Sequence, residues 1–210
     1  MLPDLGKKSV SVETIAEKIV NNKKLLDDLL ANVSSDKAVI KYKSLKVLMF
    51  LSEQQPSMLY HKWNFFVKLL DNENTFLRVV GATTIANLTR VDKENKFERI
   101  FDKYYSLLED ESMINAANVA ERSGIIAKAK PHLQSKITNK LLDIDKTHHS
   151  SECKNIIKGK AILSFNEYFD EFEDKEKMIN FLKNELNNTR SATKKKAEKL
   201  LKRWENKKSN

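Results

Sequence analysis

Apolar residues recur along this chain with the period of an α-helix, and the helical stretches themselves recur at a nearly constant spacing. The leucines near the ends of alternate stretches are 40, 38, 34 and 40 residues apart, at Leu30, Leu70, Leu108, Leu142 and Leu182. No clear two-residue alternation, as expected for a strand, interrupts them. A repeat of this length is typical of stacked helix pairs, which bury their apolar faces only against neighbouring pairs. The sequence therefore predicts an all-α fold.

Short polar breaks divide the helical stretches into pairs. Pro56 and Pro131 each end one helix and precede the next, and the turns at 71–75 and 109–112 end in the predicted N-cap residues Thr75 and Ser112. After a short helix near 11–20, the predicted first helices of the pairs are 22–33, 57–70, 94–108, 132–143 and 175–187, and the second helices are 37–53, 75–90, 112–129, 151–168 and 190–206. The predicted organisation is an extended lead-in at 1–10, one repeat domain at 11–206 and a tail at 207–210.

One repeat has a recognisable motif. The segment LLDNENTFLRVVGATTIANLTRV, residues 69–91, joins an apolar pair to a turn with Asp71, an apolar-Arg step ending at Arg78, and a small residue at Gly81. This order closely resembles the HEAT repeat consensus. The next unit has Ala116 at the Arg position and the unit before it has Lys41, so the resemblance, which covers roughly residues 22–206, is weaker elsewhere.

The resemblance implies a specific architecture. HEAT and armadillo-like proteins are right-handed α-α superhelices, here with about five helix pairs, whose second helices line the concave side. The consensus arginine usually bonds to the aspartate of a neighbouring turn, which makes a structural role the default for Arg78. As a whole the chain looks like one of the small prokaryotic HEAT-like proteins of uncertain role.

The positive charge is concentrated at one end of the chain. Of the formal net charge of +9, residues 190–208 carry +7 and residues 1–189 carry only +2. An acidic run at 167–176 comes directly before this basic end. A solvated terminal helix explains such a pattern, and so does contact with an anionic partner, either a nucleic acid or an acidic protein. The basic residues of this end include Arg190, Lys194, Lys195, Lys196, Lys199, Lys202 and Arg203.

Composition also bears on compartment and on cofactors. The single cysteine, Cys153, excludes an internal disulfide, and no uncharged stretch approaches the length of a membrane helix, so we expect a cytoplasmic protein that does not enter a membrane. The chain lacks the Gly-rich motifs that bind nucleotide phosphates. We expect no cofactor. The oligomeric state is not fixed by the sequence, and a monomer is favoured.

One loop contains metal-ligand residue types. His148, His149, Glu152 and Cys153 lie close together, but no second cluster offers the remote ligands that a zinc site needs. A polar loop with Ser150 as the N-cap of the next helix accounts for the same residues, and we predict no metal. The aromatic segment at 60–66 has two readings as well, packing between repeats or an exposed recognition patch.

The enzyme classes known on HEAT-like folds receive little support. Deoxyhypusine hydroxylases carry repeated His-Glu pairs, and this chain has no His-Glu dipeptide. Alkylpurine DNA glycosylases need Trp and Asp in a basic concave cleft, whereas the only tryptophans here are Trp63 and Trp204 and residues 1–189 are nearly neutral. Phycobilin lyases also use HEAT-like repeats, but the single cysteine is the only feature of this sequence that points to them.

The preferred prediction is a non-catalytic binding module, or scaffold, that presents the concave face of second helices to a protein partner. Nucleic-acid binding through the basic C-terminal helix is the alternative, with glycosylase-like activity as its enzymatic extreme, and a purely structural subunit is a third reading. The candidate contact residues were chosen from the polar side of the second helices and are Arg78, Arg90, Asn115, Asn118, Arg122 and Lys158.

Overall fold

The computed structural model describes residues 2, 4–7 and 9–208, with side chains described as far as Glu205. Every regular element in this part of the chain is helical, which confirms the all-α prediction. The α-helices are α1 (Val12–Asn21), α2 (Leu25–Ala31), α3 (Ala38–Gln54), α4 (Pro56–Leu59), α5 (Trp63–Leu69), α6 (Thr75–Leu88), α7 (Lys96–Ser106), α8 (Met113–Ala129), α9 (Gln134–Leu142), α10 (Ser151–Tyr168), α11 (Lys175–Glu185) and α12 (Ser191–Lys208). Short 3-10 turns extend several of them, at Asn32–Ser34, Tyr60–Lys62, Thr89–Val91, Leu107–Glu109, Pro131–Leu133 and Asp143–Lys146.

The helix ends follow local capping chemistry. Pro56 and Pro131 each begin a new helical segment, as predicted, and Ser150 caps α10 by accepting a hydrogen bond from the Cys153 N–H. The predicted cap at Thr75 is wrong by one residue. Asn74 caps α6 instead, because its side-chain oxygen lies 2.9 Å from the Phe76 nitrogen.

Two of the predicted first helices are less regular than their apolar patterns indicate. The stretch predicted as one helix at 57–70 is divided into α4, a 3-10 turn and α5, and the stretch at 132–143 begins as a 3-10 turn.

Ser112 occupies the N-cap position of α8 without a side-chain capping bond. The Asp110 carboxylate fills that role, since it accepts a 2.8 Å hydrogen bond from the Ser112 N–H.

The second helices form a continuous layer. Contacts join α3 to α6, α6 to α8, α8 to α10 and α10 to α12, while α5 packs on α6 and α11 packs on α12. Close approach between α8 and α10 requires Gly124, because a Cβ there would lie 2.9 Å from the Ser164 carbonyl oxygen. We call the exposed side of α3, α6, α8, α10 and α12 the second-helix face.

Both chain ends differ from the predicted domain limits. The lead-in at 1–10 is not extended in its described part: Asp4, Leu5 and Gly6 form a turn, and Leu2 and Leu5 are buried in the core. At the other end α12 continues to Lys208 and includes the first two positions of the predicted tail, whereas residues 209 and 210 lie outside the described part.

A buried polar network joins two successive helix pairs, the one that ends with α6 and the one formed by α7 and α8. The Asp92 carboxylate follows α6 and is fully buried, and it accepts a 2.6 Å hydrogen bond from the Tyr60 hydroxyl. It also accepts 3.0 Å hydrogen bonds from the N–H groups of Lys96 and Phe97 at the start of α7. The Lys130 ammonium, at the end of α8, lies 3.1 Å from Asp92 Oδ2. These partners together satisfy a buried carboxylate that would otherwise be costly.

The last helix closes the core with an aromatic stack. One side of α12 buries Ala197, Leu200, Leu201 and Trp204. The Trp204 ring lies nearly parallel to the Phe169 ring, with centroids 3.3 Å apart and an interplanar angle of 6°. The apolar stripe of α12 is therefore part of the core, while its remaining sides carry lysine and arginine.

We predict that Trp204→Ala lowers the free energy of unfolding by about 3–5 kcal/mol, because it removes a large buried side chain and leaves a cavity. Urea unfolding followed by circular dichroism measures this change. Lys202→Ala on the exposed side of the same helix is the matched control and should change stability by less than about 0.5 kcal/mol. Equal effects of the two substitutions would show that the Trp204 contact is not part of the folded core.

The Asp92 network predicts a loss of stability in acid. Burial alone would raise the pKa of Asp92, but hydrogen bonds from Tyr60, Phe97, Lys96 and Lys130 together lower it below its ordinary value of 3.8. The unfolded chain therefore binds this proton more readily than the folded chain. The stabilisation is complete above about pH 4 and decreases as the pH falls through the pKa of the folded state.

Urea unfolding at several pH values below about pH 5 tests this expectation. The Asp92→Asn protein should lose less stability on acidification than the wild type, although it is less stable at neutral pH. Asp71→Asn, at an exposed carboxylate paired with Lys103, should retain the wild-type pH dependence. Parallel curves for Asp92→Asn and the wild type would contradict the assignment.

Candidate binding surface on the second-helix face

Arg78 is engaged inside the fold. Its guanidinium forms a two-pronged contact with Asp110 in the next inter-helix turn, with Nε 2.9 Å from Oδ2 and Nη2 3.0 Å from Oδ1. It also donates to the carbonyl oxygens of Asn72 and Glu73. Its side chain is 15% exposed. The contact that the HEAT resemblance implies for this arginine is therefore present, and Arg78 has little capacity left for a partner.

Two further candidates are also turned inward. Asn115 is 1% exposed, because the third residue of α8 faces the turn around Asp110 rather than solvent. Lys158 lies between two carboxylates, 2.9 Å from Glu185 and 3.1 Å from Asp145, and only 11% of its side chain is exposed. Contact of Asn115 and Lys158 with a partner stays a prediction, and their burial in this fold speaks against it.

The Lys158 cluster is a self-contained ion pair. Burial would lower the pKa of Lys158, but hydrogen bonds and charge interactions with Glu185 and Asp145 raise it above its usual value. Asn188 donates a further hydrogen bond to the buried Glu185 carboxylate. A shallow polar depression lies above this cluster, and three of its polar side chains, Asn155, Asn188 and Thr189, are hydrogen-bonded to one another.

Arg90 and Asn118 lie on the second-helix face and have structural partners. Arg90 is exposed, yet its guanidinium donates to the carbonyl oxygens of Ser52 and Glu53 at 3.0 and 2.6 Å, and so caps the C-terminal end of α3. Asn118 is partly exposed and exchanges hydrogen bonds with Thr83 on α6. Both residues stay accessible at their outer atoms.

Arg122 differs from Arg78 and Lys158 in its charge pairing. Its Nε is buried without a hydrogen-bond partner, as is the Nε of Arg78, but the Arg122 guanidinium forms no ion pair within the described part of the chain. It lines a cavity of about 490 Å³ in the middle of the second-helix face. The cavity walls combine three cationic, two anionic and three uncharged side chains, namely Arg90, Arg122, Lys128, Glu53, Glu167, Asn87, Ile125 and Ala129.

The basic end divides into paired and unpaired residues. Arg190 pairs with Glu152, Arg203 donates to Asn166 at 3.0 Å, and Lys196 donates to the Gly159 carbonyl at 3.1 Å. Burial, and then repulsion from Lys160, lower the pKa of Lys196. Four lysines on α12 are exposed without an ion-pair partner among the described residues, and these are Lys194, Lys195, Lys199 and Lys202.

A groove runs between α10 and α12 on the same face. It encloses about 200 Å³, and its lining consists of apolar and cationic side chains with one amide, which are Ile162, Leu163, Asn166, Lys196, Lys199, Leu200 and Arg203. Leu163 is 39% exposed, unusual for a large aliphatic side chain in this protein. No carboxylate lines the groove. We refer to it as the α10–α12 groove.

The sequence pattern did not identify Leu163 and Ile125 as surface residues. Each lies in a long second helix that has apolar residues on several sides, so periodicity alone does not separate the buried ones from the exposed ones. Leu163 directly follows the buried Ala161 and Ile162, so the sequence alone does not indicate which of the three is exposed.

The histidine loop is tied to the preceding repeat. His148 Nδ1 lies 2.9 Å from Glu109 Oε2, and the buried His149 places Nε2 2.9 Å from the Leu108 carbonyl oxygen. Cys153 is partly buried and remote ligands are lacking: within the described residues no group of three or more His, Cys, Asp or Glu side chains is arranged to hold a metal ion.

The aromatic residues serve mainly to pack the core. Trp63 and Phe66 are buried, and Tyr60 bonds to Asp92, so the segment at 60–66 packs between repeats. Trp204 is buried against Phe169. With both tryptophans buried, neither one is presented to stack on a damaged base, as a glycosylase of this class would require.

None of the described helices combines the length and apolar character required to cross a bilayer.

Comparisons with known proteins do not indicate a function for this chain. No protein-family model matches the sequence, and no curated protein or solved structure shows significant similarity to it.

Proposed function

We propose that the chain is a short right-handed HEAT-like α-α superhelix of about five helix pairs. The regular spacing of the pairs, the continuous layer of second helices and the Arg78–Asp110 contact between successive turns support this arrangement. In such a superhelix the second-helix face is the concave side.

We propose further that the protein is a non-catalytic binding module that receives a protein partner on this face. The observation that carries the proposal is Arg122, whose side chain lines a cavity of about 490 Å³ and forms no ion pair among the described residues. An arginine that forms no ion pair within the fold has a strong preference for an added carboxylate, because guanidinium and carboxylate match in charge and in hydrogen-bond geometry. A partner carboxylate at the cavity would supply the counter-charge that Arg122 lacks among the described residues.

The mixed charge of the cavity favours a protein over a polyanion. Arg90, Arg122 and Lys128 attract carboxylates, but Glu53 and Glu167 on the same walls repel a continuous row of phosphates. Ile125 and Ala129 add apolar surface between the charges. A protein surface combines carboxylates, cations and apolar side chains, and thus complements this lining best.

The test selects peptides from a displayed library of random linear sequences on the immobilised full chain, and then measures the enriched peptides by fluorescence anisotropy. We expect them to carry carboxylates. Arg122→Ala should weaken their binding about 10- to 100-fold, the range for loss of a charge-assisted contact.

Lys136→Ala is the matched control, since Lys136 is an exposed cation on α9 and does not line the cavity. It should leave peptide affinity unchanged within about twofold. Failure to enrich any peptide, or peptides whose binding is indifferent to Arg122→Ala, would overturn the proposed function.

Nucleic-acid binding through α12 is a second candidate, favoured by the four exposed and unpaired lysines on that helix. Such contacts would be made to phosphates, since no aromatic side chain lines the α10–α12 groove to stack on a base. Substitution tests this candidate better than truncation, because removing α12 would also remove the buried Leu200, Leu201 and Trp204.

For this candidate, we expect labelled single- and double-stranded DNA and RNA to bind the intact chain at low salt, with affinity that falls steeply as salt rises. The triple variant Lys195→Ser, Lys199→Ser, Lys202→Ser should bind at least about tenfold more weakly and show a shallower salt dependence. Absence of binding at low salt, or equal binding by the triple variant, would eliminate nucleic acid as a ligand of α12.

A further inference from the structure

The α10–α12 groove combines two properties that rarely occur together by chance. Its floor is apolar, formed by Ile162, Leu163 and Leu200, and Lys199 and Arg203 stand at its edge. Lys196 is partly buried and already donates to a backbone carbonyl, so Lys199 and Arg203 supply the accessible charge. The groove thus offers an apolar depression with cations on one side and no competing carboxylate in its lining.

The size and chemistry of the groove exclude several kinds of occupant. Its volume of about 200 Å³ is below the ~300–1,000 Å³ of typical small-molecule sites, so it suits a single side chain better than a whole ligand. Its lining lacks the aromatic side chains on which nucleobases stack. An apolar side chain with acidic neighbours matches both the floor and the edge.

We propose that the α10–α12 groove is the anchor subsite for an acidic segment of the protein partner, holding one aliphatic or aromatic side chain between flanking carboxylates. This inference rests on the proposed function, and it specifies the chemistry of the partner. The side chain displaces water from Leu163, and the flanking carboxylates pair with Lys199 and Arg203.

The groove and the Arg122 cavity adjoin on the same helix. Asn166 lines the groove and the next residue, Glu167, lines the cavity. Because α8, α10 and α12 are in contact in that order, one extended segment can lie across all three helices. Its anchor side chain then occupies the groove while a carboxylate further along reaches Arg122.

The experiment uses a fluorescein-labelled synthetic peptide with one Phe among Asp and Glu residues, titrated with the full chain and followed by anisotropy. Two matched peptides accompany it, one with Phe replaced by Ala and one with the acidic residues replaced by Lys. The chain variants form two matched pairs. Lys199→Ser is compared with Lys195→Ser, an equal charge on α12 outside the groove, and Leu163→Asn with Ile114→Asn, an exposed aliphatic residue on α8.

We expect the Phe peptide to bind, the Ala peptide to bind at least about tenfold more weakly, and the Lys peptide not to bind. Leu163→Asn should weaken binding about tenfold and Lys199→Ser about threefold, while Ile114→Asn and Lys195→Ser stay within about twofold of the wild type. Circular dichroism melting confirms that each variant is folded.

Three other results would distinguish anchoring in the groove from binding at the Arg122 cavity alone, from no peptide binding and from phosphate contacts along α12. Binding that is lost in Arg122→Ala but unchanged in Leu163→Asn and Lys199→Ser would overturn the groove as the anchor and leave the proposed function standing. Binding of none of the peptides, together with no enrichment from the library, would overturn both. Equal weakening by Lys195→Ser and Lys199→Ser, with oligo(dT) competing for the same site, would overturn the groove in favour of phosphate contacts along α12.

Discussion

The rest of this structure depends on the packing of successive second helices against one another, α3 on α6, α6 on α8, α8 on α10 and α10 on α12. One such contact is between α8 and α10, where Gly124 lies against the backbone of Ser164. Small residues at this point lower helix propensity by up to about 1 kcal/mol for a glycine, but they allow two long helices to share a well-packed interface. The same contacts create the surface on which the proposed partner lies, so packing and function depend on one layer of helices.

Much of this architecture could be predicted from the sequence, because it depends on local signals. Apolar periodicity located the paired helices to within a few residues, and Pro56 and Pro131 marked two of the boundaries. The cap at Asn74 instead of Thr75 shows the limit of such signals, since adjacent polar residues can each cap a helix. The buried position of Leu5 was also not foreseen, because a short segment without periodicity gives no indication of what it packs against.

The candidate surface was harder to predict, and the reasons are physical. Arg122 and Lys158 both lie on the polar sides of second helices. Lys158 lies between two carboxylates supplied by other elements, whereas Arg122 forms no ion pair with a carboxylate among the described residues. Which of these cations is satisfied depends on residues distant in sequence. Leu163 presents the converse case, an apolar side chain left at the surface beside the buried Ile162. Ion pairs between residues distant in sequence, rather than residue type, therefore decide which charged side chains are structural and which can bind a partner.

The Asp92 network affects how the protein unfolds. In an array where each pair touches only its neighbours, unfolding can begin at either end and proceed pair by pair. Here Tyr60 and Lys130 belong to two consecutive pairs and meet at the buried Asp92 carboxylate, which lies between those pairs. Separating the two pairs would leave a buried charge without its partners, which penalises partly open states more than the fully unfolded chain, where water solvates it. We therefore expect these two pairs to open together, as one cooperative unit, in amide hydrogen exchange.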